Sequence, residues 1–233
     1  MMHDDKLRVL SSETALELPE YYAQTGRVKL SEQFHLQPVV DRVLERLIPT
    51  WGSDFACGTS KLAQTFKELG WIGTGGVDIS FQRRGQPPTV IELKCADDLS
   101  ACAWDAVKLA PAVLSGHVHA GYLLAGAPTQ MWNKPMPGAD LFATDAWETM
   151  GSRIRDKHID RWRSWQEETR SKKGDTVKKR PNRHIPGLIA ETFETLALGS
   201  FLFKINATPW ELRLARVNAR GAKATVWKCV PPR

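Results

Sequence analysis

The chain lacks the features that mark several large protein classes. Among its 233 residues are four cysteines, Cys57, Cys95, Cys102 and Cys229, scattered with no CxxC pair and no histidine at metal-site spacing. That argues against a zinc ribbon or a disulfide framework and leaves thiols in a reducing cytoplasm as the expectation. No run of about 18 apolar residues occurs, and the opening MMHDDKLRVLSSETALELPE has no apolar leader segment, so neither a membrane span nor a secretory signal is expected. The glycine-rich stretch from Gly70 to Gly76 lacks the GK[ST] ending of a phosphate-binding loop, and no GxSxG elbow is present. Nucleotide-loop enzymes and serine hydrolases of that type are therefore not indicated.

What remains is an ordinary globular composition, 42% hydrophobic and 25% charged, too apolar for disorder. Lys and Arg outnumber Asp and Glu by 32 to 26, a formal charge of +6, which suits a polyanionic partner. Residues 1–30 read as an N-terminal arm or irregular lead-in, interrupted by Pro19 and Gly26, and residues 31–233 read as a single domain. Apolar residues at helical spacing, Val39, Val40, Val43, Leu44, Leu47 and Ile48, predict a helix over roughly 38–48, with Pro38 delaying or kinking its start. A second helix is expected over Ser60 to Leu69.

The most informative stretch is GGVDISFQRRGQPPTVIELKCADD. Alternation predicts a strand from Val77 to Phe81, a turn through Arg84 to Pro88, and a strand from Thr89 to Cys95, paired as an antiparallel hairpin. A helix over Ala101 to Leu114 and a short buried strand over Gly121 to Gly126 follow. Residues 188–197 read as helix or strand, and further strands are expected over 200–206 and 210–217. The class is α/β in the broad sense: a mixed central sheet flanked by helices.

On that hairpin Glu92 and Lys94 project to one face while Leu93 points to the core, and Asp78 on the partner strand reaches the same face. Two carboxylates and an ammonium converge at one sheet edge, with Glu92 expected to face solvent. Such a set suits phosphodiester hydrolysis. Asp78, Glu92 and the Leu93 carbonyl supply hard oxygen ligands for Mg²⁺, with Mn²⁺ as a substitute, and Lys94 orients water or stabilises charge on the phosphorane.

These residues resemble the PD-(D/E)xK nuclease superfamily. Thirteen residues separate Asp78 from the Glu92-Leu93-Lys94 triplet. The resemblance covers roughly Asp41 to Ala127 and departs from the pattern at Val77, which stands in the place of the motif's proline. It implies a restriction-endonuclease-like core, DNA as substrate, Asp78 and Glu92 as metal-binding acids and Lys94 as the catalytic lysine. A further acid on the first helix is implied as well, with Glu45 or Glu32 open as candidates. Asp105 and Lys108 on the following helix stand where the resemblance implies polar residues near the site, but read first as a simple surface pair at i, i+3.

The basic insertion around 152–186 interleaves Trp162 and Trp165 among arginines and lysines. It reads either as a DNA-backbone-tracking surface, with Lys172, Lys173, Lys178, Lys179 and Arg180 on phosphates, or as a solvated helix face. His117 and His119 form an HxH with no third ligand at a telling distance and read as loop residues. The expected activity is a metal-dependent DNA endonuclease, in a defence, repair or mobile-element setting, with sequence specificity supplied by loops, by a second copy of the chain or by a partner protein. The alternative is a catalytically silent nucleic-acid-binding or assembly protein on the same fold.

Overall fold

The computed structural model describes residues 3–26, 29–57, 77–96, 101–114, 116–133, 139–142, 188–189, 192–220 and 225–226. Helix α1 spans His3–Thr25, a π-helical turn spans Glu32–Leu36, and helix α2 spans Gln37–Trp51. Strands β1 (Phe55–Cys57), β2 (Ile79–Arg83) and β3 (Thr89–Cys95) follow, then helix α3 (Ala101–Leu114), β4 (Ala120–Pro128) and single helical turns at Thr129–Trp132 and Ala139–Phe142. The last strands are β5 (Leu188–Ile189), β6 (Thr192–Ile205), β7 (Thr208–Arg220) and β8 (Thr225–Val226).

Six strands form one mixed sheet in the order β1-β2-β3-β4-β7-β6, and β5 pairs with β8. The pair β3/β4 is parallel, and every other pairing in the sheet is antiparallel. Parallel neighbours need a crossover, and α3 supplies it. Alternation along the strands sorts side chains to two cores. Ile79, Phe81, Ile91, Leu93, Tyr122, Leu124, Leu212 and Leu214 pack with α1 and α2, while Val90, Leu123, Ala125, Ala215 and Val217 pack with Cys102, Ala106, Leu109 and Ala110 of α3. Helices therefore cover both faces, as expected for a mixed sheet of this class. Among the described residues no helix is long and apolar enough to cross a membrane.

The expected hairpin is present. β3 matches its predicted span, and β2 starts two residues later than predicted, pairing Ile79 with Ile91 and Phe81 with Thr89. The N-terminal arm is corrected outright: residues 3–25 are helical despite Pro19, and Leu7, Leu10 and Leu18 are fully buried. The apolar-to-helix match at α2 holds, with Pro38 in its first turn, where a missing N–H costs nothing. The C-terminal strands are longer than expected and meet in a two-residue turn, Asn206-Ala207. Residues 188–189 and 192–205 are strand, which decides the open choice there. The predicted helix over 60–69 and the basic run 152–186, with Lys172, Lys173, Lys178, Lys179 and Arg180, lie outside the described residues.

Candidate active site

The candidate residues gather where β3 and β4 end, and local chain geometry puts them there. In β3, Ile91 and Leu93 enter the core under α1 and α2, so alternation sends Glu92 and Lys94 to the face that carries α3. β2 begins only at Ile79, so the Leu93 N–H lies beyond the last paired residue of that ladder. The Asp78 carboxylate takes its place: Oδ2 accepts the Leu93 N–H at 2.7 Å. Asp78 is thereby tied to the middle of the Glu92-Leu93-Lys94 triplet.

Lys94 is the hub. Its Nζ donates to the Leu93 carbonyl oxygen at 2.6 Å and to Glu32 Oε2 at 3.2 Å, and lies 3.2 Å from Asp105 Oδ2 on α3. Glu32 reaches it from the π-helical turn, a rare element that recurs at functional sites. That turn is held by His35 and Leu36 N–H groups on the Ser31 carbonyl and by the buried His35 ring, which accepts from the Ser31 N–H and meets the Thr25 hydroxyl. The structure thus brings Glu32 to the cluster. Glu45 stands elsewhere, exposed on α2 near Asp41 and Cys57.

Two expectations are corrected. Glu92 does not face solvent: it is 3% exposed, shut in between the sheet and the α3 side. Asp105 is no surface residue either, being 6% exposed and paired with Lys94. The sequence carried a signal for Asp105. It falls on the buried stripe of α3 with Cys102, Ala106 and Leu109, and an acid on such a stripe requires a partner.

The electrostatics follow from this crowding. Burial pushes the Glu32 carboxyl above its ordinary range, Lys94 pulls it back, and the Asp78 and Asp105 charges add to the upward shift. For Lys94, burial alone would lower the pKa, but Asp105, Glu32, Asp78 and Glu92 overcome that and hold it above the ordinary lysine value, so it is an ammonium at any working pH. The Cys102 thiol is raised by burial, then by Asp105, and is correspondingly inert as a nucleophile.

Four carboxylates, Glu32, Asp78, Glu92 and Asp105, surround one ammonium. The donor set is hard oxygen, and one ammonium does not balance its charge, which fits a small divalent cation such as Mg²⁺ or Mn²⁺. Among the described residues no three His, Cys, Asp or Glu side chains stand together in ligand geometry. His117 and His119 precede β4 in a turn, as expected for loop residues, and the His119 ring faces His3 at 4.7 Å. Compared with protein-family models, with curated proteins and with solved structures, the chain matches none.

Proposed function

We propose that this chain is a divalent-metal-dependent nuclease with a restriction-endonuclease-like core, hydrolysing phosphodiester bonds in DNA in the cytoplasm. The observation that carries the reading is the tie between Asp78 and the Glu92-Leu93-Lys94 strand, with the Lys94 ammonium set among carboxylates at the ends of two parallel strands. Ligands of α/β sheets characteristically bind beyond the carboxyl ends of parallel strands.

In this reading Asp78, Glu92 and the Leu93 carbonyl hold Mg²⁺ or Mn²⁺, and Glu32 is the further acid. The bound cation supplies Lewis-acid polarisation of the phosphate and a more acidic water. Asp78 fixes the register of the triplet through the Leu93 N–H. Lys94, an ammonium held among carboxylates, donates hydrogen bonds to the phosphate oxygens and stabilises the charge that develops there. The helix α3 and sheet that bury Glu92 exclude bulk water from one side of the cluster, which strengthens each of these interactions. Lys172, Lys173, Lys178, Lys179 and Arg180, with the net charge of +6, supply phosphate contacts along the DNA. A second copy or a partner protein supplies any sequence specificity.

The test uses supercoiled plasmid, linear duplex and single-stranded DNA with Mg²⁺, Mn²⁺ or EDTA, and wild type beside Lys94→Ala, with circular dichroism to check that both are folded. Cutting is expected only with metal, and at least about 100-fold slower in Lys94→Ala, the loss typical of removing one group that stabilises developing charge. Metal-dependent cutting at full rate by Lys94→Ala would overturn the assignment. Salt-sensitive DNA binding without cutting would favour the silent nucleic-acid-binding protein.

A further inference from the structure

An ammonium has three N–H donors. At Lys94 two of them are hydrogen-bonded, to the Leu93 carbonyl at 2.6 Å and to Glu32 Oε2 at 3.2 Å, while Asp105 Oδ2 lies 3.2 Å from the nitrogen as an ion-pair partner. A phosphate oxygen can therefore engage this ammonium through more than one N–H only after the Leu93 carbonyl or Glu32 lets go. Both of these hydrogen-bonded oxygens, the Leu93 carbonyl and Glu32, are ones that the nuclease reading assigns to the divalent cation. Asp105 is not. It enters from α3, is 6% exposed and forms an ion pair with Lys94, and that reading does not assign it to the cation.

We propose that Lys94 and the divalent cation compete for the Leu93 carbonyl and the Glu32 carboxylate, and that Asp105 is the positioning residue that retains the ammonium when those two oxygens are given up. Cation binding and the freeing of two Lys94 N–H donors for substrate phosphate are then one coupled event. The site arms its lysine only when its metal is bound. Without Asp105 the ammonium has no second anchor, holds the Leu93 and Glu32 oxygens more persistently, and resists the cation. The inference rests on the metal-site assignment above, and it adds a role for a residue which that assignment does not use.

Competition separates from simple through-space charge effects by a double-mutant cycle, because direct Coulomb contributions of two side chains to cation binding add, whereas a shared competitor makes them non-additive. The measurement is Mn²⁺ affinity by titration calorimetry on the full chain, for wild type, Lys94→Met, Asp105→Asn, the double variant and Glu92→Gln. Lys94→Met is expected to bind Mn²⁺ at least about tenfold more tightly, as a nearby like charge and competitor is removed. Asp105→Asn is expected to weaken binding, and to do so at least about fivefold more strongly in the wild-type background than in the Lys94→Met background. An equal loss in both backgrounds, with Glu92→Gln still weakening Mn²⁺ binding, would overturn the competition and leave the metal site standing. Absent Mn²⁺ binding, or binding indifferent to Glu92→Gln, would overturn both. Should Lys94→Met fail to fold, Lys94→Gln, which keeps a donor for Glu32 and Asp105, carries the same comparison.

Discussion

Glu32 sits under opposing influences: burial and the neighbouring Asp78 and Asp105 charges push its pKa up, and the Lys94 ammonium opposes them without winning. A carboxyl whose folded pKa exceeds its unfolded value favours folding while protonated. That contribution is fully present below the ordinary glutamate value of 4.5 and is lost as pH rises through the raised folded value. Wild type is therefore expected to lose stability, relative to Glu32→Gln, as pH climbs above 4.5 toward neutrality, read as the difference in thermal midpoint across a pH series. Parallel profiles for the two proteins would contradict the assignment of that strain to Glu32. At this scale the grouping of Asp78 with Glu92 and Lys94 was legible in the sequence, because alternation along a strand is a strict geometric rule. The sequence did not reveal the choice between Glu32 and Glu45, since a π-helical turn sets the direction of Glu32 and no spacing rule encodes such a turn. Nor did it reveal that Glu92 is buried, because what covers a sheet face depends on helices distant in sequence.

At the scale of elements, the hairpin β2/β3 and helix α3 were legible because short-range signals agree. Strict alternation flanks a Gly/Pro turn in one, and an apolar stripe of the right length marks the other. Helix α1 was not legible. Its buried positions include Lys6, Ser11 and Thr14 among Leu7, Leu10, Ala15, Leu18 and Tyr22, so polar residues interrupt its inward stripe, and Pro19 lies near its end. Thr14 resolves its own burial by donating to the Leu10 carbonyl at 2.8 Å, a local bond that the hydrophobic pattern does not record. The β6/β7 hairpin presents a different case. Its two-residue loop places both Asn206 (φ 48°) and Ala207 (φ 65°) in the left-handed region, the arrangement of a type I′ turn. Asparagine tolerates that region and alanine does not, so Ala207→Gly is expected to stabilise the protein by up to about 1 kcal/mol, seen as a higher denaturant midpoint at unchanged slope. A lower midpoint would show that the turn does not carry this strain in solution.

For the whole molecule, the two ends of the parallel pair β3/β4 are treated differently. At the start of β4, Asp4 of α1 accepts from the Tyr122 hydroxyl at 2.8 Å and from Arg216 Nη1 at 2.7 Å, fastening the first helix to the sheet. At the other end, the π-helical turn, the residue just before β2, β3 and α3 each contribute one or two charged groups to a cluster rich in carboxylate. An acidic cluster in a chain of net charge +6 is the balance that the proposed nuclease needs, since it would draw a polyanion while reserving a small region for a cation. No single segment of sequence contains that arrangement; it exists only once residues 32, 78, 92–94 and 105 are assembled by the sheet. The most direct test of the account is Mg²⁺-dependent cleavage of supercoiled plasmid by wild type beside Asp78→Asn and Glu92→Gln, near-isosteric changes that remove one charge each. The account predicts cutting by wild type in Mg²⁺ and none in EDTA, with both variants at least about 100-fold slower and Glu92→Gln melting no lower than wild type. Cutting by wild type that persists in EDTA, or that proceeds at the same rate in both variants, would contradict it.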